Sequence, residues 1–246
     1  MTTQAISLPT VRSEVDKRWI SQKIGMIGPP GIGKSKFWSF CNGLYIQTEA
    51  GLNHLSVMKV PVRSWEDFRQ LYTALIQAHQ AGKLTYDTII IDTIDKFIDL
   101  AHQEVIERGR NKFKGIEINV IGDIPNGAGW AWAQDLVENA LGKLDELPCA
   151  VVYIGHLETK EVKEPTRSIH KQTISVGGKM GGMLTAWPDH FLNVNAAYSG
   201  NELKRIVRTL PSQTIEAKSR EGMVKDGTVW SSNDKENWEN FRKLFV

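Results

Sequence analysis

The chain has 246 residues, of which 41% are hydrophobic and 24% are charged, as in an ordinary globular protein with a full core. Thirty basic and 28 acidic side chains leave a formal net charge of +2, which excludes a histone-like protein and restricts any nucleic-acid surface to a local group of cations. No apolar run is long enough to span a membrane and the start lacks a signal-peptide pattern, so we expect a cytoplasmic protein without membrane contact. Cys41 and Cys149 are too few for a disulfide scaffold and are expected to be reduced thiols.

Runs of β-branched residues alternate with helical periodicity from residue 24 to about residue 155. This order is typical of an α/β fold in which helices flank a mostly parallel central sheet. Ser64 is a predicted N-cap, and the apolar residues after it repeat at helical spacing. In chain order we predict a strand at 24–28, a helix at 34–42, a strand at 44–48, an extended segment at 57–62, a helix from 65, a strand at 86–92, helices at 94–108 and 130–147, and a strand at 149–155.

Two long stretches interrupt this pattern, at residues 109–129 and 157–182. Connections of that length are usually functional or disordered, and we predict both as loops. Beyond them we expect a strand at 191–197, a hairpin turning at 199–201 and a helix at 237–245. The chain is predicted as one domain over 1–246, with extensions at 1–20 and 223–246.

A glycine-rich segment joins the first predicted strand to the first predicted helix and reads Gly28-Pro-Pro-Gly-Ile-Gly-Lys-Ser35. It matches G-x-x-x-x-G-K-[ST] in the strand, loop and helix context that a phosphate-binding loop requires, which a chance glycine-rich turn lacks. Lys34 is expected to reach the β- and γ-phosphates of ATP, and the Ser35 hydroxyl to hold Mg²⁺. The predicted nucleotide-binding residues are Gly28, Pro29, Pro30, Gly31, Ile32, Gly33, Lys34, Ser35 and Lys36.

Asp92 ends the apolar strand that contains three consecutive isoleucines. A carboxylate at this place is the expected Walker B aspartate, which binds Mg²⁺ directly or through a water molecule. The alternative is that Asp92 caps the following helix. Thr93 stands where many P-loop proteins carry a catalytic glutamate, so the residue that activates water must come from elsewhere.

Glu49 follows the second predicted strand, at the edge where a doubly wound sheet exposes its ligands. In this feature the sequence resembles the RecA-like ATPases, whose water-activating glutamate lies at the tip of that strand, and Glu49 matches it. The strand before His156 resembles the strand that carries the sensor of the γ-phosphate, where the family often has Gln. Both residues have a plain alternative, a surface glutamate and a structural histidine.

The late segment Ala217-Lys-Ser-Arg-Glu-Gly222 resembles the Lys-x-Arg motif by which RecA-core motors reach into a neighbouring subunit's ATP. Lys218 and Arg220 match this motif. Alternate residues of a strand share a face, so both cations are expected to point at one γ-phosphate. The alternative is a basic turn on the surface. Together the motifs resemble the phage-encoded, minimal RecA/Rad-like ATPases of single-strand annealing and recombination, which implies an ATPase that self-associates into a ring or filament.

In RecA-like proteins, two loops after the Walker B and sensor strands bind single-stranded DNA, and the two predicted loops occupy those places. Cations suited to phosphate contact are Arg110, Lys112 and Lys114 in the first, and Arg167, Lys171 and Lys179 in the second. Glu158, Glu161 and Glu164 dilute the second group, so a solvated loop of mixed charge is the alternative. We expect Trp130 and Trp132 to be packed in the interior rather than to stack on bases.

The resemblance predicts a DNA-stimulated ATPase that acts on single-stranded DNA, with phage or host replication and recombination proteins as further partners. Two other classes remain open. A P-loop alone does not name the phosphate acceptor, so the chain could be a nucleotide or small-molecule kinase, although residues 157–182 offer only Arg167 to a phosphate-closing lid. It could also be a nucleotide switch or helicase loader, in which ATP sets a partner-binding surface.

Overall fold

A computed structural model describes residues 8, 10–163, 167–199 and 202–245. Along these residues the helices are α1 (Lys34–Trp38), α2 (Trp65–Gln80), α3 (Ile94–Lys112), α4 (Ala128–Asp145), α5 (Gly178–Ala186) and α6 (Asp234–Arg242). The strands are β1 (Lys23–Gly28), β2 (Gly43–Gln47), β3 (Met58–Pro61), β4 (Thr88–Asp92), β5 (Ala150–Lys163), β6 (Ser168–Ile174), β7 (His190–Ser199), β8 (Glu202–Arg208), β9 (Lys218–Ser219) and β10 (Thr228–Trp230).

The central sheet has the strand order β10-β8-β7-β1-β5-β4-β2-β3, with β6 paired to β5 and β9 paired to β7. The six strands from β7 to β3 in this order are parallel. The predicted α/β fold with a mostly parallel sheet between helices is therefore confirmed. β7 and β8 pair antiparallel as the predicted hairpin, whose turn residues 200 and 201 lie outside the described residues.

β4 lies in the middle of the sheet and is buried on both faces, as its apolar sequence predicts. Ile89 and Ile91 pack on the face that α2, α3 and α4 cover, whereas Ile90 packs on the opposite face with α1 and α6. This alternation is the two-residue period of a strand. On the first face, Ser64 begins α2 with a capping box, in which its hydroxyl and the Asp67 carboxylate each accept a backbone N–H.

The face covered by α1 and α6 contains a cluster of aromatic rings, comprising Trp19, Phe37, Trp38, Trp230, Trp238, Phe241 and Phe245. Phe37 of α1 stacks on Trp230 with 4.1 Å between ring centroids, and Trp38 meets Trp238 edge-on at 5.6 Å. Aromatic pairs at such distances add to the stabilisation from apolar burial. The C-terminal helix is thereby fixed to the helix that follows the glycine-rich loop.

The prediction of a loop at 157–182 was wrong. β5 continues to Lys163 and pairs antiparallel with β6, from Leu157 opposite Ile174 to Lys163 opposite Ser168, and α5 follows. We call this two-stranded extension, residues 157–163 and 168–174, the ribbon. The ribbon extends beyond the helical layers, so its strands are mostly polar. They therefore lack the alternation of apolar and polar residues by which an ordinary strand is predicted from sequence.

The predicted loop at 109–129 is also shorter than expected. α3 continues to Lys112, and two 3₁₀ turns, Ile121–Asp123 and Pro125–Gly127, lead directly into α4. Ile118, Ile121 and Ile124 pack with Val105 and Ala133 in a small core of their own. These isoleucines hold the connection against α3 and α4.

Cys41 and Cys149 are both free, as expected. Among the helices in the described ranges, none has both the length and the apolar character that crossing a lipid bilayer demands.

Candidate nucleotide-binding site

The glycine-rich loop connects β1 to α1 at the carboxyl edge of the parallel strands. Gly31 and Gly33 have φ angles of 75° and 96°, a left-handed conformation that strongly favours glycine. A side chain at Gly28 would lie 2.7 Å from the Val194 carbonyl oxygen, so the close approach of β7 also demands glycine there. The sequence motif thus folds as a loop whose backbone conformation depends on its glycines.

Lys34 is buried at the base of this loop, and its ammonium donates to the carbonyl oxygens of Gly28 and Pro29 at 2.7 and 3.0 Å. Burial lowers the pKa of Lys34, while the carboxylates of Asp92, Asp95 and Glu49 oppose this shift. The two carbonyl bonds hold the Lys34 ammonium inside the loop, and an arriving phosphate would compete for it.

Asp92 lies at the end of β4 with 4% of its surface exposed. Burial raises the pKa of Asp92; the nearby Ser35 hydroxyl opposes the shift, and the charge of Glu49 adds to it. The Oδ2 atom of Asp92 is buried without a hydrogen-bond partner, and the N-cap of α3 is Thr93, which makes no side-chain cap bond. The structure therefore does not support the alternative in which Asp92 caps α3.

The residues fit a bound Mg²⁺. A buried carboxylate oxygen that lacks a partner, beside a serine hydroxyl, is the hard oxygen donor set that Mg²⁺ prefers. Ser35 and Asp92 are the residues that would hold the ion, together with phosphate oxygens of the nucleotide.

Glu49 follows β2, and Gln47 of that strand lies opposite Asp92 in the parallel register. Thr48 fixes the connection, because its N–H donates to the Asp92 carbonyl at 3.0 Å and its hydroxyl to the Thr93 carbonyl at 2.8 Å. Glu49 is partly exposed and close enough to influence the pKa values of both Lys34 and Asp92. The structure therefore brings the predicted water-activating glutamate to the same edge as the glycine-rich loop.

His156 lies opposite Gly28 in the register of β1 and β5. Its backbone N–H donates to Oδ2 of Asp95 at 3.0 Å, and its ring Nδ1 lies 3.3 Å from the same oxygen. Asp95 comes from the first turn of α3 and was missed by the sequence analysis, since an acidic residue at a helix start is unremarkable. His156 is thus beside the loop, as a sensor would be, and is also held by a carboxylate, as a structural histidine would be.

Lys218 and Arg220 are not part of this group. Lys218 pairs with Phe191 at the beginning of β7, and Phe191 in turn pairs with Gly25 of β1. β9 therefore lies toward the amino edge of the parallel strands, away from the glycine-rich loop at the carboxyl edge. Neither cation belongs to the loop of its own chain.

The expectation that Lys218 and Arg220 share a strand face was wrong. β9 ends at Ser219, and Arg220 begins a 3₁₀ turn. The Lys218 ammonium donates to the Ala186 carbonyl at 2.7 Å, whereas the Arg220 guanidinium lies 3.3 Å from Asp189. The two cations remain close enough for Arg220 to contribute to the lowered pKa of Lys218, which burial causes first. Arg220 is largely exposed.

The predicted DNA-contacting cations lie in three places. Arg110 and Lys112 are in the last turn of α3 rather than in a loop, where Arg110 donates to the Ile118 carbonyl and Lys112 lies 4.7 Å from the Trp132 ring. Lys114 is exposed just beyond α3. Arg167, immediately before β6, donates to Gln213 at 3.0 Å, and Lys171 on β6 pairs with Glu216 at 3.5 Å. Lys179 is exposed on α5.

The expectation that Trp130 is buried was wrong, since 55% of its surface is exposed. It lies at the beginning of α4 and lines a cavity of about 620 Å³ together with His102, Val176, Lys179 and Met180. Trp132 is partly buried and stacks on Phe113, as the packing interpretation predicts. The cavity brings together the two segments that were predicted as separate loops.

A cation that the sequence analysis missed lies against the glycine-rich loop. Nη1 of Arg205, on β8, is 2.9 Å from the point where a Cβ of Gly33 would be. Arg205 pairs with Asp234 of α6 at 2.5 Å, and Asp234 also contacts Lys36 at 3.0 Å. No local motif marks Arg205, because its position depends on the pairing of β8 with β7 and of β7 with β1.

A parallel sheet with a glycine-rich loop, a buried lysine and a strand-end aspartate at its carboxyl edge defines a P-loop nucleotide-binding protein. A family model described as an AAA domain matches residues 20–221, which is most of the chain. The chain therefore belongs to this family of AAA-type P-loop ATPase domains.

Proteins that are similar to the chain include a curated relative and a solved structure. The SPbeta prophage-derived uncharacterized protein YorG of Bacillus subtilis strain 168 is 29% identical over 147 residues, which cover 58% of this chain and 43% of YorG. The match thus spans less than half of that relative's length. The crystal structure of the flagellar accessory protein FlaH from Methanocaldococcus jannaschii matches this chain with a TM-score of 0.41 and 11% sequence identity. The match covers 76% of this chain and 77% of FlaH.

Proposed function

We propose that the chain is a Mg²⁺-dependent ATPase of the RecA-like type that acts on single-stranded DNA in phage recombination or replication. In this proposal each ATP lies between two copies of the chain. The observation that carries it is that the predicted site residues form two separate groups. Lys34, Glu49 and Asp92 lie at the carboxyl edge of the sheet. Lys218 and Arg220 lie toward its amino edge.

The residues at the carboxyl edge have the chemistry that phosphoryl transfer to water requires. Lys34 would leave the carbonyl oxygens of Gly28 and Pro29 and bind the phosphates. Glu49 is partly exposed and would accept a hydrogen bond from the attacking water and align it with the γ-phosphate. Bound Mg²⁺ would supply positive charge to the phosphate oxygens, and Ser35 with Asp92 would hold it.

Lys218 and Arg220 support a shared site because an exposed guanidinium can cross an interface. The backbone N–H of Arg220 donates to the Asp189 carbonyl at 3.1 Å, and its guanidinium lies 3.3 Å from the Asp189 carboxylate, yet 63% of the side chain is exposed. A guanidinium stabilises charge that develops on a transferring phosphoryl group. Placed toward the opposite edge from the glycine-rich loop, Arg220 would serve the nucleotide of an adjoining copy.

Contact with single-stranded DNA is supported by the meeting of two segments beside α4. Met180 of α5 packs against the small core that contains Ile118, Ile121 and Ile124. Lys179 and the exposed indole of Trp130 line the same cavity. A cation beside an exposed aromatic ring matches the demands of phosphate contact and base stacking without sequence preference. The likeness to a prophage-derived protein supports a phage role.

The test measures ATP hydrolysis per chain while protein concentration and single-stranded DNA are varied, with particle size followed in parallel. The proposal expects the rate per chain to rise with both, because association completes each site and DNA stabilises the assembly. Lys34→Ala is the control for hydrolysis by a contaminant. A rate per chain that stays constant under both changes would contradict the shared site and the DNA dependence.

A further inference from the structure

A cation outside the recognised motifs lies against the glycine-rich loop from the side of β8. Nη1 of Arg205 is 2.9 Å from the position that a Cβ of Gly33 would occupy. Gly33 immediately precedes Lys34 and has a left-handed φ of 96°. Turns that contain left-handed residues can form a concave group of backbone N–H donors that binds anions. The guanidinium of Arg205 therefore lies beside the loop, in the space that a side chain at Gly33 would need.

Arg205 is held in place by three neighbours. Its Nη1 lies 2.5 Å from Oδ1 of Asp234, its Nη2 donates to the Ser231 carbonyl at 2.6 Å, and its central carbon lies 5.6 Å from the Trp230 ring. Only 12% of its side chain is exposed. A planar group fixed on two edges and one face has lost most of its freedom before any ligand binds, which reduces the entropic cost of using it.

Asp234 binds two cations at once and is itself 5% exposed. Its Oδ2 lies 3.0 Å from the Lys36 ammonium, in the first turn after the glycine-rich loop. Two cations and one carboxylate leave a surplus of positive charge beside a loop that binds an anion. A guanidinium carries five N–H donors, and the contacts with Asp234 and Ser231 use only some of them.

The geometry points to Arg205 as a contact to the phosphates of the nucleotide bound by its own chain, with Asp234 as the positioning residue that links this contact to α6. The inference rests on the proposed function insofar as the ligand is a nucleotide. It adds a cation from the same chain to the cations proposed to come from the neighbouring copy.

The link to α6 follows from packing. Asp234 is the first residue of α6, and Phe241 of the same helix contacts Phe37 of α1 with 5.5 Å between ring centroids. Nucleotide binding that recruits Arg205 would therefore tighten a helix that touches α1. Binding and stability are linked, so a nucleotide that stabilises the contacts among Arg205, Asp234 and α6 binds more tightly to the chain in which those contacts are formed.

The test is nucleotide affinity, measured by calorimetry with ADP and with a non-hydrolysable ATP analogue in Mg²⁺ buffer. We expect Arg205→Met to weaken binding at least tenfold. The matched control is Arg208→Ala, because Arg208 lies on the same strand and also pairs with an aspartate, Asp226, at 3.2 Å. The control is expected to bind nucleotide within about twofold of the wild type. The tenfold loss expected for Arg205→Met corresponds to about 1.4 kcal/mol of binding free energy.

Arg205→Met leaves Asp234 buried with Lys36 as its remaining cation, which can impair folding. The double variant Arg205→Met/Asp234→Asn removes both charges of the pair and is checked by circular dichroism. If the wild type binds nucleotide and the folded double variant binds it equally well, the role of Arg205 is overturned. If the wild type itself binds no nucleotide, the proposed function fails instead, so the two failures are distinguishable.

Hydrogen exchange gives a second measurement. In the wild type, ADP is expected to increase the protection of amides in α6 (Asp234–Arg242), and this increase should disappear in Arg205→Met at saturating nucleotide. An increase of the same size in Arg205→Met would contradict the link between the bound nucleotide and α6 through Arg205.

Discussion

Gly28 and His156 lie opposite each other in the parallel register of β1 and β5, so the first residue of the glycine-rich loop borders the predicted sensor. This adjacency depends only on strand pairing. It places the imidazole at the carboxyl edge together with Asp95, whose carboxylate lies 3.3 Å from Nδ1 of His156.

The first prediction concerns His156. If His156 is the sensor, His156→Ala is expected to retain nucleotide affinity and to lose the DNA-stimulated part of ATP hydrolysis, because the variant removes the side chain that would donate a hydrogen bond to the γ-phosphate. His156→Gln, which restores a donor, is the control and should keep most of the stimulation. Steady-state hydrolysis with and without single-stranded DNA measures both. Equal stimulation in His156→Ala and the wild type would assign His156 a structural role.

Glu49→Gln separates an ATPase from a nucleotide switch. The amide cannot accept a proton from water, so turnover is expected to fall about 10²- to 10⁴-fold while ATP binding stays intact. The measurement combines single-turnover hydrolysis with calorimetric titration of ATP. Glu66, on the exposed first turn of α2, provides a control variant, Glu66→Gln, that should behave as wild type. Unchanged turnover in Glu49→Gln would favour the switch.

Ionised Asp92 is expected to lower the stability of the folded chain although it is needed to bind Mg²⁺. Because burial raises its pKa, the folded chain holds the Asp92 proton more tightly than the unfolded chain, and the ionised form costs free energy at neutral pH. Asp92→Asn should therefore raise the free energy of unfolding in Mg²⁺-free buffer by an amount on the order of 1 kcal/mol, while abolishing Mg²⁺-dependent hydrolysis.

Urea denaturation at several pH values measures this effect. The wild type should gain stability relative to Asp92→Asn as the pH falls from neutral toward the ordinary range of an aspartate, because the buried carboxylate then becomes neutral. A variant less stable than the wild type at pH 7 would show that ionised Asp92 stabilises the empty site.

Subunit mixing tests the shared site. Arg220→Ala keeps a complete glycine-rich loop, and Lys34→Ala keeps the cations toward the opposite edge, so each variant alone is expected to be inactive. Equal mixing should restore complete sites at about one interface in four. The matched control mixes Arg220→Ala with the double variant Lys34→Ala/Arg220→Ala, which offers no complete interface. Recovery in neither mixture would remove Arg220 from a neighbour's site.

His190 predicts a pH dependence of stability. It is 1% exposed, between Ser219 at 2.9 Å and Gln22 at 3.3 Å, and burial lowers its pKa to about 4, with Lys218 and Arg220 contributing and Asp189 opposing. The neutral ring is thus favoured in the folded chain. Stability should fall as the pH drops from about 6.5 to about 4, by about 3 kcal/mol in total.

Thermal unfolding across this pH range measures the effect. His190→Gln keeps polar atoms for both neighbours and should flatten this part of the profile. His79→Gln is the control, because His79 is exposed at the end of α2. If the profiles of His190→Gln and the wild type coincide, His190 does not cause the acid destabilisation.

The sequence predicted the carboxyl edge well because its residues follow strands directly. Glu49, Asp92 and the glycine-rich loop each come within a few residues of a strand end, and parallel strands bring such ends together. Arg205 was not predictable in this way. Its neighbours Gly33, Trp230 and Asp234 come from distant parts of the chain, and no local pattern marks them as partners.

In the ribbon and at the end of β9, the local sequence pattern predicted the wrong backbone conformation. β5 continues past its apolar part into a polar pair of strands, so hydrophobic periodicity predicts a loop where strands exist. At Arg220 the spacing of two residues suggests one strand face, but the chain turns after Ser219. In both cases backbone pairing, rather than side-chain polarity, determines the conformation.

The placement of the glycine-rich loop and Arg220 toward opposite edges of one sheet has a consequence for assembly. If one copy's loop meets the next copy's guanidinium, the contact is head-to-tail and generates either a closed ring or an open row. In a closed ring, every nucleotide site receives the guanidinium of a neighbouring copy. A row of n copies leaves one terminal pocket unfinished, so hydrolysis per copy would follow (n − 1)/n, and short rows would reveal their length through their rate.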